Sequence, residues 1–335
     1  MIPKREDNVE QILFQAAKST INTWLKIEKS EKLTIFSDSK RLELSNKIHD
    51  YAISQEIKTD LIFLNTLTDS HKKEISDYFS KSSPHDVLIN NFSWDFYSEN
   101  KLFEYFPTFS VPRTFKGRSA TIRSRIPTQA LYQGLTTDHQ LIQPVLEKYL
   151  KIKTQSSIRV MSSVGTDLTF NISPFQFLNF SAHKAGEHAF LPPAEVYGAI
   201  VEGSANGKIV IDMTIGEFVY KGEMWENFGL VDQPLTLQIQ EGVITSITGS
   251  SFSDRLKECF SRVEESCKML VELGIGLSSI VKTGHIGADE CMLNTCHFGF
   301  GDNQFYGGVN KAPIHLDMVI SNPKIEVKDR EIETK

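Results

Sequence analysis

The sequence predicts an α/β protein in two parts: an N-terminal doubly wound α/β domain, then a β-rich α+β domain. Two observations predict it. Short β-rich runs alternate with helical periodicity over residues 32–93, and the pattern turns to strands after about residue 155. The length of 335 residues also favours two domains over one. The boundary is expected near residue 154, giving 1–154 and 155–335.

The elements follow in order. Residues 8–26, NVEQILFQAAKSTINTWLK, set Val9, Leu13, Ala17, Ile21 and Trp24 at helical spacing. KLTIFSDS (32–39) is a β-rich run closed by turn residues, and RLELSNKIHDYAISQ (41–55) reads as a helix. DLIFLNTL (60–67), SHKKEISDYFSKS (70–82) and HDVLINNFS (85–93) continue as strand, helix and strand. A β-α-β-α-β order implies parallel strands joined by crossover helices. No GxGxxG accompanies it, so the fold class carries no dinucleotide assignment. RSATIRSR (118–125) reads as a solvated charged turn, with Arg123 and Arg125 as candidate anion binders. Residues 128–151 read as helical, with an N-cap signal at Thr137-Asp138.

The second part opens with SSIRVMSS, TDLTFNIS and GKIVIDMTI. LTLQIQEGVITSITG (235–249) reads as a hairpin turning at Glu241-Gly242. One long helix is expected over 254–273, capped by Ser253 and ended near Gly274. EGSANGK (202–208) lacks the GK[ST] ending of a phosphate loop and reads as a tight turn before KIVID. The tail, KDREIETK, reads as a frayed end.

Composition narrows the function classes. At 40% apolar and 23% charged, the chain is an ordinary globular protein. A net charge of −6 with no basic run argues against nucleic acid. The start, MIPKREDNVE, has no apolar stretch behind it, so no secretory signal is read. No run approaches the roughly 18 apolar residues that span a membrane. Cys259, Cys267, Cys291 and Cys296 form no CxxC pair and read as core thiols of a reduced, cytoplasmic protein.

Chemistry-bearing residues gather in the second half. His315 and Asp317 sit two apart before the apolar run MVI, so on a strand both project from one face. Imidazole beside carboxylate suits a transition metal, but the pair alone reads first as a His hydrogen-bonded to a structural Asp. His297 lies in the apolar segment CHFGFG and needs a partner if buried. Glu272, at the end of the expected long helix, would lie against the helix dipole unless a cation or solvent compensated it. Glu195 follows Pro192-Pro193 in an apolar context, as a ligand or as an exposed loop carboxylate. No GxSxG nucleophile elbow is present.

Several segments together resemble the thermophilic metalloprotease family, the group of aminopeptidase T and aminopeptidase S. They are GTDLTFNI (165–172), LPPAEVYGAIVEGSANGKIVID (191–212), VELGIGLSS (271–279), ADECMLNTCHFGFGDN (288–303) and YGGVNKAPIHLDMVI (306–320). The first half resembles that family's α/β domain more loosely, through SEKLTIFSDSKRLELSNKI and HDVLINNFSW. The resemblance implies a cytoplasmic, homodimeric metallo-aminopeptidase with two divalent ions, zinc, cobalt or manganese. Its ligands would be Glu195, Glu272, His297, His315 and Asp317, with Asp317 able to bridge. Two such ions share a water and lower its pKa, and Glu195 or Glu272 would shuttle the proton to the leaving amine.

The chain departs from the family at two points. The family's Tyr after the His297 segment falls on Asn303 or Gln304, with Tyr306 off register. The family's Asn-Pro after G-I-G is Ser278-Ser279 here. The same superfamily includes iron-dependent ring-opening dioxygenases of dihydroxypyridines. On that reading His297, His315 and Asp317 alone would hold one Fe(II). Those enzymes carry a His where this chain has Glu272, which favours the peptidase set. A tailoring enzyme of a biosynthetic pathway is a third expectation. The expected partner is a peptide or small-molecule substrate, with no nucleic acid and no membrane.

Overall fold

The computed structural model describes residues 5–328, so most of the tail KDREIETK lies outside the described residues. The chain divides into two compact units. One runs up to Thr137 and takes in Leu178–Ala194; the other is Asp138–Phe177 together with everything from Glu195 on. These units are not the contiguous 1–154 and 155–335 expected from sequence. The division falls between the helices Thr128–Leu135 and His139–Tyr149, where Asp138 caps the second by accepting from Gln140 N (2.9 Å).

The first unit holds a five-stranded, all-parallel sheet. Its order is Lys58–Phe63, Lys32–Ser37, Asp86–Asn91, Arg118–Ile122 and His188–Leu191. Strands Lys32–Ser37 and Asp86–Asn91 are buried along almost their whole length, as expected where helices cover both faces. Helix Leu42–Ser54 turns Leu44, Ile48, Tyr51 and Ala52 inward at helical spacing. Helix Asp69–Lys81 opens on a capping box between Thr68 and His71. Phe36, Phe79, Leu88, Phe92, Phe106 and Phe115 build one core of this unit.

The stretch read as a charged turn is instead the buried strand Arg118–Ile122. Its one cation at the start is neutralised: Arg118 pairs with Glu31 at 2.6 Å and also donates to Leu25 O and Ala182 O. Arg123 and Arg125 lie over the rings of Phe190 (5.2 Å) and Trp94 (3.9 Å).

His188 is structural. Its Nδ1 meets Ser119 Oγ (2.7 Å) and its Nε2 meets Thr108 O (3.0 Å). Burial lowers its pKa to about 4, although the Thr108 carbonyl favours the charged form. The folded value lies below the usual 6.5, so the unfolded chain takes up the proton first. Stability should therefore fall as pH drops from about 6.5 to about 4, by on the order of 3 kcal/mol. Denaturant titrations at pH 7 and 4.5 test this. His188→Gln keeps one donor and one acceptor and should lose markedly less stability than the parent over that interval; equal losses would refute the assignment.

The second unit contains two sheets. The six-stranded one runs Val243–Gly249, Leu235–Gln240, Asn206–Ile211, Asp167–Ile172, Ser156–Met161 and Lys324–Lys328. The expected hairpin turns at Glu241 (φ 48°) and Gly242 (φ 79°), the two left-handed positions of a tight hairpin turn. The seven-stranded sheet runs Glu223–Leu230, Thr214–Tyr220, His315–Ser321, Thr295–Gly301, Leu270–Gly276, Glu195–Ala199 and Gln176–Phe177. Every recorded pairing in both is antiparallel.

The long helix over 254–273 is corrected. Helix Ser253–Ser261 is short and Ser253 is its first residue, not its cap. A 3-10 turn, Glu265–Lys268, intervenes, and Leu270–Gly276 is a strand buried at all seven positions. The apolar spacing through Val263 and Cys267 mimics a helix. The run LVELGIG, however, is apolar at nearly every residue, as a strand covered on both faces requires. All four cysteines are free and buried. Among the described residues no helix is long and apolar enough to cross a membrane.

Candidate metal centre

Four neighbouring strands of the seven-stranded sheet carry the site. Alternation along each strand sends Glu195 and Tyr197, Glu272 and Gly274, His297 and Gly299, and His315 and Asp317 to one face. The register sets a glycine opposite every polar residue: Gly276 against Glu195, Gly299 against Glu272, Gly274 against His297, Gly301 against His315, and Gly299 against Asp317. The pairing slips by one residue between Leu270 and Glu272. Glu272 thus lies inside a strand, which overturns its expected place at a helix end, and Glu195 begins a strand rather than standing in a loop.

The glycines leave room for side chains to lie across the sheet. A Cβ on Gly274 would overlap the His297 ring and Glu195 Oε2. A Cβ on Gly299 would stand 2.8 Å from Glu272 Oε2 and 2.9 Å from His315 Cε1. Over this floor all five residues singled out from sequence converge. His297 Nε2 lies 2.9 Å from Glu195 Oε2 and 3.9 Å from Glu272 Oε1. His315 Nε2 lies 2.9 Å from Glu272 Oε2 and 3.1 Å from Asp317 Oδ1. The result is two groups, Glu195–Glu272–His297 and Glu272–His315–Asp317, each with donor atoms within 4.8 Å of one another. Glu272 belongs to both.

The electrostatics call for a cation. Glu195 Oε2 and both Glu272 oxygens are buried without an aligned hydrogen-bond donor, beside the His297 and His315 imidazoles. Leaving such groups unmatched is costly. Burial works against charge on His297, yet Glu195, Glu272 and Asp317 hold its pKa well above the ordinary value. His315 behaves alike beside Asp317 and Glu272. Burial pushes the Asp317 carboxyl up, but His315 and His297 bring it below the usual range. His315 Nδ1 donates to Asp302 O at 2.7 Å, which aims Nε2 at the carboxylates. This is the support a metal-ligating imidazole ordinarily has. Donor chemistry, orphaned oxygens and glycine floor all fit divalent ions.

Two tyrosines complete the surroundings. Tyr306 sits in the short turn Gln304–Tyr306, and its hydroxyl is 3.5 Å from His315 Nε2. Its ring packs against His315 (5.3 Å) and edge-on against Tyr197 (5.2 Å). Burial, with Glu272, Asp317 and Glu195, drives its pKa far up, so it stays a neutral donor. Burial also pushes Tyr197 up to about 12, helped by Glu195 and Glu272. Sequence comparison set Tyr306 off register; the turn after Asn303 carries it back to the site. Tyr197 was readable, since it stands two residues after Glu195 on the same strand. His183 and His188 belong to the other unit, and His285 precedes the short helix Ile286–Asp289 and joins neither group.

This geometry defines a carboxylate–imidazole centre of the kind metalloenzymes use. Residues 126–335 match the family model NicX, 2,5-dihydroxypyridine 5,6-dioxygenase, and the chain belongs to that family. The fold is similar to that of the 2,5-dihydroxypyridine dioxygenase from Pseudomonas putida KT2440. There the TM-score is 0.61 at 16% identity, covering 98% of this chain and 96% of that one. It is also similar to wild-type AmpT from Thermus thermophilus, with TM-score 0.58 at 13% identity over 95% of each chain. No curated protein matches the sequence. The chain is thus an enzyme by family.

Proposed function

We propose that this enzyme is a metal-dependent hydrolase of the aminopeptidase type, with Glu195, Glu272, His297, His315 and Asp317 holding two divalent ions. The single observation that carries this reading is Glu272, common to two separate ligand groups. Each group has one imidazole and two carboxylates, a hard, oxygen-rich set that suits zinc, cobalt or manganese. Ions so held supply a Lewis acid and a water of lowered pKa.

The chain's own residues would do the rest. Glu195, the less buried of the two glutamates, takes up and returns the proton that moves to the leaving amine. The neutral Tyr306 hydroxyl donates to oxyanion character at the scissile carbonyl. A substrate's free N-terminal amine held at such a centre would confine cleavage to the N-terminal residue. A homodimer, as the aminopeptidase resemblance implies, belongs to the same reading.

A ring-opening dioxygenase is the second reading, favoured by the family match over residues 126–335. It would use one Fe(II) on a two-His-one-carboxylate set. Against it, His297, His315 and Asp317 do not form one such group among the described residues.

Elemental analysis of protein purified without added metal tests the choice, alongside assays of amino-acid anilides and of oxygen uptake with 2,5-dihydroxypyridine. About two ions per chain and chelator-sensitive anilide hydrolysis are expected. One iron per chain with oxygen uptake and no hydrolysis would transfer the assignment to the dioxygenase.

A further inference from the structure

The turn EGSANGK, read from sequence as a mere entry to a strand, also anchors the loop that carries Tyr306. Glu202 Oε1 accepts three hydrogen bonds from that loop: from Asn303 Nδ2 (2.8 Å), Val309 N (2.9 Å) and Asn310 N (3.1 Å). Asn303 is fully buried and ties the loop across its neck. Its N donates to Asn310 O (3.2 Å), its Oδ1 accepts from Asn310 N (2.9 Å), and its O accepts from Tyr306 N and Gly308 N (both 3.0 Å). Asn310 Nδ2 fixes the far end on Gly301 O (2.6 Å) and Ser266 O (2.9 Å).

Apolar packing does little for the outer part of this loop. Phe305 is 58% and Val309 79% exposed. Gly307 adopts φ 86°, a left-handed link that side chains resist. The conformation therefore rests on polar anchors, and the acceptor they share is Glu202. Burial weighs against the charge on Glu202, yet the Asn303, Val309 and Asn310 donors hold its pKa below the usual carboxylate range. Tyr306, in the middle of the loop, is the residue so delivered to His315.

We infer that Glu202 is a positioning residue: it holds residues 303–310 in the conformation that sets Tyr306 against His315. The catalytic consequence rests on the hydrolase reading above; the loop's conformation does not.

Hydrogen exchange with mass-spectrometric readout tests this on the full chain, comparing the parent with Glu202→Ala and Glu202→Gln. Losing a charge-assisted acceptor of three donors should speed exchange over 304–310 on the order of tenfold or more. Strand Thr295–Gly301 should keep its protection. Glu202→Gln retains Oε1 and should restore most of it. On the hydrolysed substrate, Glu202→Ala and Tyr306→Phe should each lower kcat more than they raise KM, and the double variant should lose little beyond the worse single one. Unchanged exchange over 304–310, or acceleration spread equally through Thr295–Gly301, would overturn the inference. If the alanine chain does not fold, Glu202→Ser, with a shorter acceptor, is measured in its place under the same criteria. A parent that hydrolyses nothing would refute the hydrolase reading and leave the exchange comparison intact.

Discussion

If the proposed two-ion site holds, replacing Glu272 with alanine is expected to strip the protein of both ions and to lower turnover by on the order of a thousandfold or more. Glu272 is the one carboxylate common to the two ligand groups, and it is 1% exposed with both oxygens lacking an aligned donor. No neighbour among the described site residues can take its place: Glu195 serves the His297 side and Asp317 the His315 side. Glu195→Ala removes one ligand from one group only and should leave the Glu272–His315–Asp317 ion in place.

Stability supplies an independent readout. Ion binding stabilises the folded chain by roughly 4 kcal/mol at a thousand times the dissociation constant. Added zinc or manganese should therefore raise the parent's melting temperature and do little for Glu272→Ala. Without ions the order should narrow or reverse, because the substitution removes a buried carboxylate that lacks aligned donors. Elemental analysis and thermal melts with and without metal decide the matter. Two ions per chain surviving in Glu272→Ala would sink the shared-ligand assignment.

Legibility in the sequence followed the physics of each element. Strands Lys32–Ser37 and Asp86–Asn91 were readable because burial on both faces writes near-continuous apolar runs, and the crossover helices keep their own periodicity, while Lys58–Phe63, at the sheet edge, is only partly buried. Strand Arg118–Ile122 was not, because its Arg118 is neutralised by Glu31, far away in sequence. Strand His188–Leu191 joins the same sheet after an excursion into the other unit, which no local pattern announces. The five candidate ligands were named through motif resemblance, with His315-x-Asp317 also readable from alternation alone. Glu272 was named as a candidate with a mistaken local placement, since LVELGIG is a strand with a bulge and not a helix end. The alternation of ligand and glycine over four strands stayed hidden, because cross-strand register is a long-range property.

That glycine floor makes the last expected result the most discriminating. In a strand, exchanging Gly for Ala usually stabilises by a few tenths to one kcal/mol. Gly274 has no positive φ, so its backbone tolerates alanine. The added methyl would nevertheless overlap the His297 ring and Glu195 Oε2. The side chains have to swing away, and the fold should survive at a cost of about 1–3 kcal/mol. Gly274→Ala should therefore keep all five ligands, lose the ion held by Glu195, Glu272 and His297, and retain the one near His315 and Asp317. Turnover should drop on the order of a hundredfold, the scale set by misplacing a reacting group by about 1 Å. Gly299→Ala presses instead on Glu272 Oε2 and His315 Cε1, and so disturbs the residues of the second group. A fall from two ions to one in Gly274→Ala is what a two-ion hydrolase requires. An enzyme working through one iron on His297, His315 and Asp317 would lose it in both variants, since Gly274→Ala displaces the His297 ring and Gly299→Ala presses on His315, so one ion surviving in Gly274→Ala separates the two chemistries without removing a single ligand.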